Sequence, residues 1–286
     1  MRIAGIIAEY NPFHRGHAYL LEQARRAGAQ GVIAVMSGSF VQRGEPAAAD
    51  KVKRTAAALL GGADLVLELP PEAATGSAQR FAGGAVSLLA ACGCVTDLFF
   101  GAETESVEAL EKAGAAAGSP AFEAILREGL RQGLSYPAAS GRALERTDPA
   151  AAGILEGPNN LLAAEYLRAL RREARQIRPR PVLRMGAGHR DQAAAGGIAS
   201  AGAIREIMRR GGDWESLVPE VSRPFAVPDL WPDDCSAALS AVLLRCSRAQ
   251  LCDYEDVSDD LAGRILAHAP YLMSFTELAQ AVQTRA

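Results

Sequence analysis

Apolar and polar residues alternate along the first 100 positions in blocks that predict strands and helices in turn. The continuous apolar runs have strand length and indicate strands that are buried on both faces. The predicted strands are 3–8, 31–38, 64–70 and 97–103, and the predicted helices between them are 16–27, 51–63 and 78–93. This order predicts right-handed β-α-β units in an open, mostly parallel α/β sheet with flanking helices. Ligands of such sheets bind beyond the carboxyl ends of the strands.

The rest of the chain is predicted to be mostly helical. One further strand is predicted at 181–189 and a helix at 199–211. A proline-containing stretch near 225–233 then marks a domain boundary. The helices predicted beyond it are 236–250, 259–268 and 274–284. We therefore expect a ligand-binding domain over residues 1–224 and a smaller helical carboxyl-terminal domain over residues 233–286.

The composition narrows the class of protein. The 286 residues are 49% hydrophobic with a net charge of −3, so a globular chain without an overall basic field is expected. The 5 cysteines lack paired C-x-x-C spacing, which favours reduced thiols over a zinc site. Neither a signal peptide nor an apolar run of membrane-spanning length is evident, so we expect a cytoplasmic protein that does not enter a membrane.

The most informative short motif is His-x-Gly-His, directly after the first predicted strand. It contains His14, Gly16 and His17, which include 2 of the 4 histidines. The free N–H groups and the positive dipole end of the following helix suit phosphate oxygens, and Gly16 lets the backbone pass close to a ligand. Both histidines could donate to phosphates while charge builds on a departing pyrophosphate. The motif favours nucleotide chemistry; the alternative is that the histidines only cap or pack the helix. No third ligand is nearby in sequence, which argues against a metal site.

Other charged residues are predicted at the same edge of the sheet. Glu68 and Glu103 end strands and could steer a metal-bound phosphate or cap loops. Lys51, Lys53 and Arg54 form a basic cluster on the second helix. A local phosphate-binding surface for RNA could combine this cluster with Arg171, Arg172, Arg175, Arg178 and Arg180. The alternative is that these basic residues form a solvated helix face.

Longer stretches of the chain resemble one enzyme family. The most specific are EYNPFHRGH at 9–17 and MSGSFVQRGEP at 36–46. They are followed in order by DKVKRTAAALLGGADLVLELP, SAQRFAGGAVSLL, LFFGAE, SYPAA, GPNNLLAAEYLRAL and IASAGAIREIM. Together these stretches, from residue 3 to about 210, are similar to the tRNA(Met) cytidine acetate ligases of the H-x-G-H nucleotidylyltransferase superfamily.

The resemblance implies a Rossmann-like fold and an ATP-dependent ligase that uses Mg²⁺. Such enzymes form acetyl-adenylate from acetate and ATP, and then acetylate N4 of the wobble cytidine of elongator tRNA(Met). The resemblance implies that His14 and His17 are catalytic. The residues that it implies for ATP binding are Ile7, Ala8, Glu9, Tyr10, Asn11, Pro12, Phe13, His14, Arg15, Gly16, His17, Ala18, Tyr19, Leu20, Gly101, Asn159 and Arg184.

Three of these positions also have simpler explanations. Gly101 ends a strand where a side chain would block a purine or ribose, but a turn would favour glycine as well. Asn159 follows Pro158, which we expect to exclude helix there, so its amide contacts the nucleotide or caps a helix over 161–174. Arg184 ends a strand and either holds a phosphate or lies in solvent.

The stretch IASAGAIREIM occupies the place of the superfamily's second phosphate-binding signature. Ser200 and Arg205 match that signature and are candidate phosphate or tRNA contacts. Gly202 and Ala203 stand where hydroxyl side chains are expected, which predicts weaker pyrophosphate binding.

Two functions other than the ligase stay open from the sequence. One is a nucleotidylyltransferase that acts on a small phosphorylated metabolite, and the other is a module that binds ATP or RNA without turnover. Family members generally continue further at the carboxyl end, so we expect ATP chemistry from residues 3–210 and weakened docking of tRNA. The oligomeric state is left open.

Overall fold

The structure, a computed structural model, describes residues 1–42, 44–134, 136–184, 199–255 and 257–283. By the clustering of its contacts, the chain forms two compact units, Met1–Asp229 and Leu230–Ala286. The candidate site lies entirely in the first unit, which contains the sheet.

The sheet of the first unit has five parallel strands in the order β3-β2-β1-β4-β5. The strands are β1 Ile3–Ala8, β2 Gly31–Ser37, β3 Leu65–Leu69, β4 Asp97–Ala102 and β5 Arg178–Leu183. The Rossmann-like α/β fold is therefore confirmed, and the first four strands lie where the apolar runs predict them. The fifth strand was predicted too late, since it begins at Arg178; residues 185–189 lie outside the described residues.

The strand order places β1 between β2 and β4, and this sets the position of a ligand. Ile7 is aligned with Val35 on one side of β1, and Ile6 is aligned with Phe99 on the other. The chain winds outward from β1 to β2 and β3, and then returns to the other side of β1 to form β4. The crevice beyond the carboxyl ends of β1 and β4 is thus the topological switch point, where open parallel sheets bind ligands.

Both faces of the sheet are covered, which explains why its strands read as unbroken apolar runs. On β1, Ile3 and Ile7 pack into one core cluster with Phe81, Val86 and other buried residues of the fourth helix. Ala4 and Ile6 point the opposite way, into a second cluster with Leu21.

Eleven α-helices of the first unit are described. They are α1 Arg15–Arg26, α2 Lys51–Leu60, α3 Pro71–Ala74, α4 Ala78–Ala91, α5 Val107–Ala116, α6 Pro120–Arg131, α7 Tyr136–Thr147, α8 Pro149–Leu155, α9 Pro158–Glu173, α10 Ala201–Arg209 and α11 Arg223–Ala226. Helices α4 and α9 pack against each other on one side of the sheet. Leu21 and Ala24 of α1 and Ala57 and Ala58 of α2 are buried in the cluster on the other side.

The second unit is helical in its described part. Its α-helices are α12 Ser236–Leu243, α13 Arg248–Cys252, α14 Asp259–His268 and α15 Phe275–Val282. The single helix predicted at 236–250 is in fact two, because the chain turns between Leu243 and Arg248, where Ser247 caps α13. None of the helices in the described part of the chain combines the length and the hydropathy of a membrane span.

Candidate active site

An open cleft of about 810 Å³ lies at the switch point, a volume that suits a ligand of nucleotide size. It is formed by the ends of β1, β4 and β5 and by the amino-terminal turns of α1 and α9. Its lining residues are Ile7, Ala8, His14, Gly16, His17, Tyr19, Leu20, Phe100, Gly101, Asn159, Leu162, Tyr166, Val182, Leu183 and Arg184.

The histidines of the motif close the first turn of α1 by accepting hydrogen bonds from backbone N–H groups of that turn. The Nδ1 atom of His14, the N-cap residue, accepts a hydrogen bond from the N–H of Gly16 at 3.0 Å. The Nδ1 atom of His17 accepts from the N–H of His14 at 3.2 Å. The two rings stack with their centroids 3.7 Å apart. The spacing of three residues thus produces a reciprocal capping box that is built from imidazoles.

This capping determines which ring nitrogen carries the proton. Burial lowers the pKa of His14 to about 3, with a smaller contribution from the charge of Arg184. Burial also lowers the pKa of His17 well below its usual value, and the charges of His14 and Arg184 lower it further. Both rings are therefore neutral at neutral pH. Since each Nδ1 accepts a hydrogen bond, each proton resides on Nε2, and neither Nε2 has a protein partner among the described residues.

Buried aromatic rings pack against the histidine pair. The Tyr10 ring lies 4.9 Å from His17 in an edge-on arrangement and 5.0 Å from Phe13. Both Tyr10 and Phe13 are 1% exposed, and burial raises the pKa of the Tyr10 hydroxyl. These packed rings leave little freedom for the histidines to rotate.

Arg54, which was predicted to be a phosphate or tRNA contact, is instead a buried structural residue with 1% exposure. Its guanidinium donates to the carbonyls of Glu9, Ser37, Gly38 and Ala49. It therefore joins the loops that follow β1 and β2 to the segment before α2. Burial lowers its pKa to about 10, although nearby carboxylates oppose the shift. The prediction for Arg54 was wrong because the first turn of α2 points this side chain into the sheet rather than into solvent.

Strands β4 and β5 supply the opposite wall of the cleft. Arg184 directly follows β5, and its N–H donates to the carbonyl of Ala102 at 3.0 Å. A methyl group on Gly101 would lie 3.3 Å from Cγ of Arg184, so glycine leaves room for the arginine stem. The guanidinium Nη1 of Arg184 donates to Oδ1 of Asn159 at 2.7 Å. Strand ends and the α9 terminus thus bring together three residues that are far apart in sequence.

Asn159 lies inside the first turn of α9 and does not cap the helix. The helix begins at Pro158, one residue earlier than Asn159, and the N-cap is Gly157. Proline is tolerated at the first helical position, because its missing N–H would have no partner there. The expectation that Pro158 excludes helix at Asn159 was wrong. The cap alternative for Asn159 is therefore removed, and its amide is directed towards Glu103 and Arg184.

The loop after β4 is tied to α9 through Glu103 and Asn160. Glu103 Oε2 accepts from the N–H of Asn160 at 2.7 Å, and the N–H of Glu103 donates to Asn160 Oδ1 at 2.8 Å. Glu103 Oε1 accepts from Nδ2 of Asn159 at 2.5 Å. Of the two roles considered for Glu103 from the sequence, its contacts fit that of a cap, here of a neighbouring helix end.

The residues implied for ATP binding fall into two groups. Ten of them line the cleft: Ile7, Ala8, His14, Gly16, His17, Tyr19, Leu20, Gly101, Asn159 and Arg184. The other seven lie in the same loop or helix outside the lining: Glu9, Tyr10, Asn11, Pro12, Phe13, Arg15 and Ala18. Several of these hold the loop. The Oε1 atom of Glu9 accepts from the N–H of Gln42, and Oδ1 of Asn11 accepts from the N–H of Ala48.

Five lining residues were missed from the sequence: Phe100, Leu162, Tyr166, Val182 and Leu183. Leu162 and Tyr166 lie one and two turns beyond Asn159 on α9, at the spacing that puts residues on one helix face. That spacing could have identified them once Asn159 was suspected. The strand residues carry no such signal, because apolar strand ends look alike whether or not a cleft adjoins them.

The remaining basic candidates occupy different places. Lys51 pairs with Glu68 at 2.8 Å and Lys53 pairs with Asp229, both at the surface. Ser200 caps α10 by accepting from the N–H of Ala203, and Arg205 donates from Nη1 to the carbonyl of Asn11 at 2.7 Å.

The arginines expected to extend the basic surface do not share the edge of the cleft. Arg178 and Arg180 pair with the buried Asp97 at the amino ends of β4 and β5. Arg171 pairs with Glu111, and Arg172 with Glu173. The expected joint surface with Lys51 and Lys53 was wrong for Arg178 and Arg180, because they lie at the opposite end of the sheet.

Three comparisons place this geometry among known proteins. The profile of the HIGH Nucleotidyl Transferase family matches residues 1–286. The tRNA(Met) cytidine acetate ligase of Syntrophomonas wolfei is 38% identical, and the match covers 100% of this chain and 72% of the relative. The enzyme of the same name from Oceanobacillus iheyensis is 41% identical, with 100% and 75% covered.

Solved structures are similar over the same extent. The crystal structure of Thermotoga maritima TmcAL in its apo form has a TM-score of 0.88 at 33% identity and is covered over 72% of its length. The structure of the same protein bound with alpha-thio ATP has a TM-score of 0.87 at 32% identity, with 71% covered. Both matches cover 100% of this chain.

Proposed function

The chain belongs to the tRNA(Met) cytidine acetate ligases of the HIGH nucleotidyl transferase family, and we propose that it activates acetate with ATP and transfers the acetyl group to N4 of the wobble cytidine of elongator tRNA(Met). The observation that carries the proposal is the pair of neutral imidazoles at the amino end of α1. Their free Nε2–H groups share a cleft with Arg184. A TmcAL structure of the same fold holds an ATP analogue, which supports ATP as the nucleotide.

The amino end of α1 suits the triphosphate. Its backbone N–H groups and dipole favour phosphate oxygens, and His14 and His17 add donors that carry no charge before the ligand binds. A bound triphosphate would raise the pKa of both rings, because its negative charge favours the protonated form. The histidines would therefore donate more strongly as negative charge accumulates on the leaving pyrophosphate.

The adenylation step follows from this placement. A carboxylate oxygen of acetate attacks the α-phosphorus of ATP, a new O–P bond forms, and the bond from the α-phosphorus to the bridging oxygen breaks. Pyrophosphate leaves with that electron pair. Nε2 of His14 and of His17 and the guanidinium of Arg184 stabilise the phosphate oxygens during the displacement.

The second step is acyl transfer. The N4 amine of cytidine attacks the acetyl carbonyl, AMP leaves with the electron pair of the acyl–oxygen bond, and N4 loses one proton. Surface residues Lys51 and Lys53 are proposed contacts for tRNA phosphates, and Ser200 and Arg205 for phosphates of either substrate. Action on tRNA also supports a cytoplasmic location.

The other end of the cleft suits the nucleoside. Ile7, Phe100, Leu162 and Tyr166 give it apolar and aromatic walls, and Gly101 has no side chain to occupy the space. An adenine ring packs well against such walls, since it is flat and uncharged and buries apolar surface without needing a charged partner.

Mg²⁺ is expected to arrive with the nucleotide. No group of three or more His, Cys, Asp or Glu side chains in the described parts of the chain is arranged to hold a metal ion. Mg²⁺ commonly keeps several waters and binds through substrate phosphates, so this arrangement fits an ion that is carried by ATP. Such an ion would neutralise charge on the phosphates.

Acetate-dependent exchange of labelled pyrophosphate into ATP tests the first step, and N4-acetylcytidine in digested tRNA tests the second. We expect both products from the wild-type chain. Exchange that needs a phosphorylated metabolite instead of acetate would identify a different nucleotidylyltransferase. ATP binding without exchange under either condition would identify a binding module and contradict the proposal.

A further inference from the structure

A chain of hydrogen bonds runs from the α9 backbone to the guanidinium in the cleft. The N–H of Asn160 donates to Oε2 of Glu103, and Nδ2 of Asn159 donates to Oε1 of Glu103. Oδ1 of Asn159 in turn accepts from Nη1 of Arg184. Glu103 itself does not line the cleft, so it reaches a ligand only through its neighbours.

The donors and acceptors of these hydrogen bonds are compatible with only one orientation of the Asn159 amide. A backbone N–H can only donate, so the atom of residue 103 that faces Asn160 must accept. An ionised carboxylate accepts on both oxygens, so the Asn159 amide must present its NH₂ group to Glu103. Its oxygen then faces Arg184, which can only donate. A reversed amide would place two oxygens together at Glu103 and two donors together at Arg184.

The end of this hydrogen-bond chain at α9 is held in place by buried contacts. Asn160 is 4% exposed, and its amide accepts from the N–H of Glu103 and donates to the carbonyl of Ile154 at 2.9 Å. A methyl group on Gly157 would lie 2.5 Å from Oε2 of Glu103, so the carboxylate fills the space that a side chain at the N-cap would need. The far end, Arg184, is exposed, and its guanidinium donates to the amide oxygen of Asn159.

We propose that Glu103 is a positioning residue for ATP, which orients the Asn159 amide and through it the Arg184 guanidinium towards the nucleotide. This inference rests on the proposed function, because it assumes that ATP occupies the cleft. Glu103 makes no contact with the reacting atoms, so its effect should appear in the affinity for ATP and in KM more than in kcat.

Glu103→Gln tests the polarity directly, because glutamine has the same shape but only one acceptor oxygen. If its NH₂ group faces Asn160, two donors meet. If that group faces Asn159, the amide must reverse and present its own NH₂ to Arg184. We expect the Kd and KM for ATP to rise about tenfold, since an interaction with a charged group is lost, with a smaller change in kcat. Glu108→Gln, at an exposed position of α5, is the matched control and should leave all three unchanged.

A double variant restores the match of donors and acceptors, with the negative charge moved from residue 103 to residue 159. In Glu103→Gln/Asn159→Asp, the new amide at position 103 can accept from the N–H of Asn160 and donate to the new carboxylate at position 159. That carboxylate also accepts from Arg184, so every donor again faces an acceptor. We expect the loss of ATP affinity in the double variant to be smaller than the product of the two single losses. Thermal unfolding of all variants monitors the helix-capping role of Glu103 separately.

The outcomes distinguish this inference from the proposed function. Wild-type protein that binds no ATP would overturn both. ATP binding by the wild type that Glu103→Gln leaves unchanged would overturn the inference alone, as would independent losses in the double variant. A lower unfolding temperature for Glu103→Gln with unchanged ATP affinity would show that Glu103 only caps α9.

Discussion

The two walls of the cleft are built in opposite ways. On the α1 side, His14 accepts from the N–H of Gly16 and His17 accepts from the N–H of His14, all within four residues, and His14 is 6% exposed. On the β4/β5 side, Glu103, Asn159 and Arg184 come from three separate segments and hold one another through side-chain hydrogen bonds. The α1 wall supplies neutral donors from the buried His14 and the half-buried His17, whereas the opposite wall supplies a full positive charge at the surface.

Because of this difference, we expect substitutions in one wall to change the stability of the fold and substitutions in the other to change the affinity for the ligand. The buried wall rests on Arg54, whose guanidinium joins the backbones that follow β1 and β2. Loss of these contacts should therefore lower the stability of the fold as well as the catalytic activity. The hydrogen bond between Asn159 and Arg184 on the exposed wall can be replaced by bonds to water at little cost in folding, so its loss should appear mainly in ligand binding.

The largest effect is expected from Arg54→Met. This change leaves the carbonyls of Glu9, Ser37, Gly38 and Ala49 without their buried donor, so we expect the free energy of unfolding to fall by about 3–5 kcal/mol. Urea denaturation measures it. The control is Lys53→Met on the same helix, which should change stability by less than about 1 kcal/mol. Equal losses in the two variants would show that Arg54 is no anchor.

Substitutions that preserve the cap should remove catalysis and spare the fold. Asparagine at His14 can still accept from Gly16, and glutamine at His17 can still accept from the N–H of His14. Both lack the imidazole Nε2–H, so we expect acetate-dependent pyrophosphate exchange to fall about 10²–10³-fold for each variant. Thermal unfolding should stay near wild type. Near-normal exchange in either variant would limit that histidine to capping.

The two histidines of the motif should also make stability depend on pH. The pKa of His14 is about 3 in the folded protein against 6.5 in the unfolded chain, and the pKa of His17 is lowered in the same sense. The unfolded chain therefore binds protons first, and stability that is fully present above pH 6.5 is lost as the pH falls towards 3. Each histidine contributes up to about 1.4 kcal/mol per pH unit.

Urea denaturation between pH 7.5 and 5 measures this dependence. His14→Asn/His17→Gln removes both rings while the carboxylates stay the same, so its stability should decline less steeply over that range. Curves that run parallel for the two proteins would contradict the low histidine pKa values.

The smallest effect is expected at the exposed lysines of α2. Lys51→Ala and Lys53→Ala should leave stability and ATP affinity unchanged, because both side chains make only surface ion pairs. If they contact tRNA, each should weaken binding modestly and reduce the salt slope by roughly 0.7–0.9. Lys112→Ala on α5 is the matched control. Identical salt dependence in all three variants would assign Lys51 and Lys53 to a solvated face.

Much of the fold and ten of the fifteen residues that line the cleft could be predicted from the sequence. The apolar runs of β1 to β4 are long, unbroken and separated by helical periodicity, so their order predicts a parallel sheet with its ligand at the carboxyl edge. The position of β5 was misjudged, because Arg178, Pro179 and Arg180 do not read as a buried strand, and β5 is an edge strand whose residues are only partly covered.

Local structures that involve only residues close together in sequence are determined by the sequence itself. The reciprocal capping of His14 and His17 needs only helix geometry and a spacing of three residues, so His-x-Gly-His is enough to specify it. Packing, by contrast, buries Arg54 while Lys51 and Lys53 stay exposed, and packing brings Glu103, Asn159 and Arg184 together. Three basic residues within one helical turn look alike in sequence, and which of them points inward depends on how α2 packs against the sheet. The polar chain from α9 to Arg184 likewise exists only where β4, β5 and α9 end together, because hydrogen bonds between distant segments form after packing has brought them within reach.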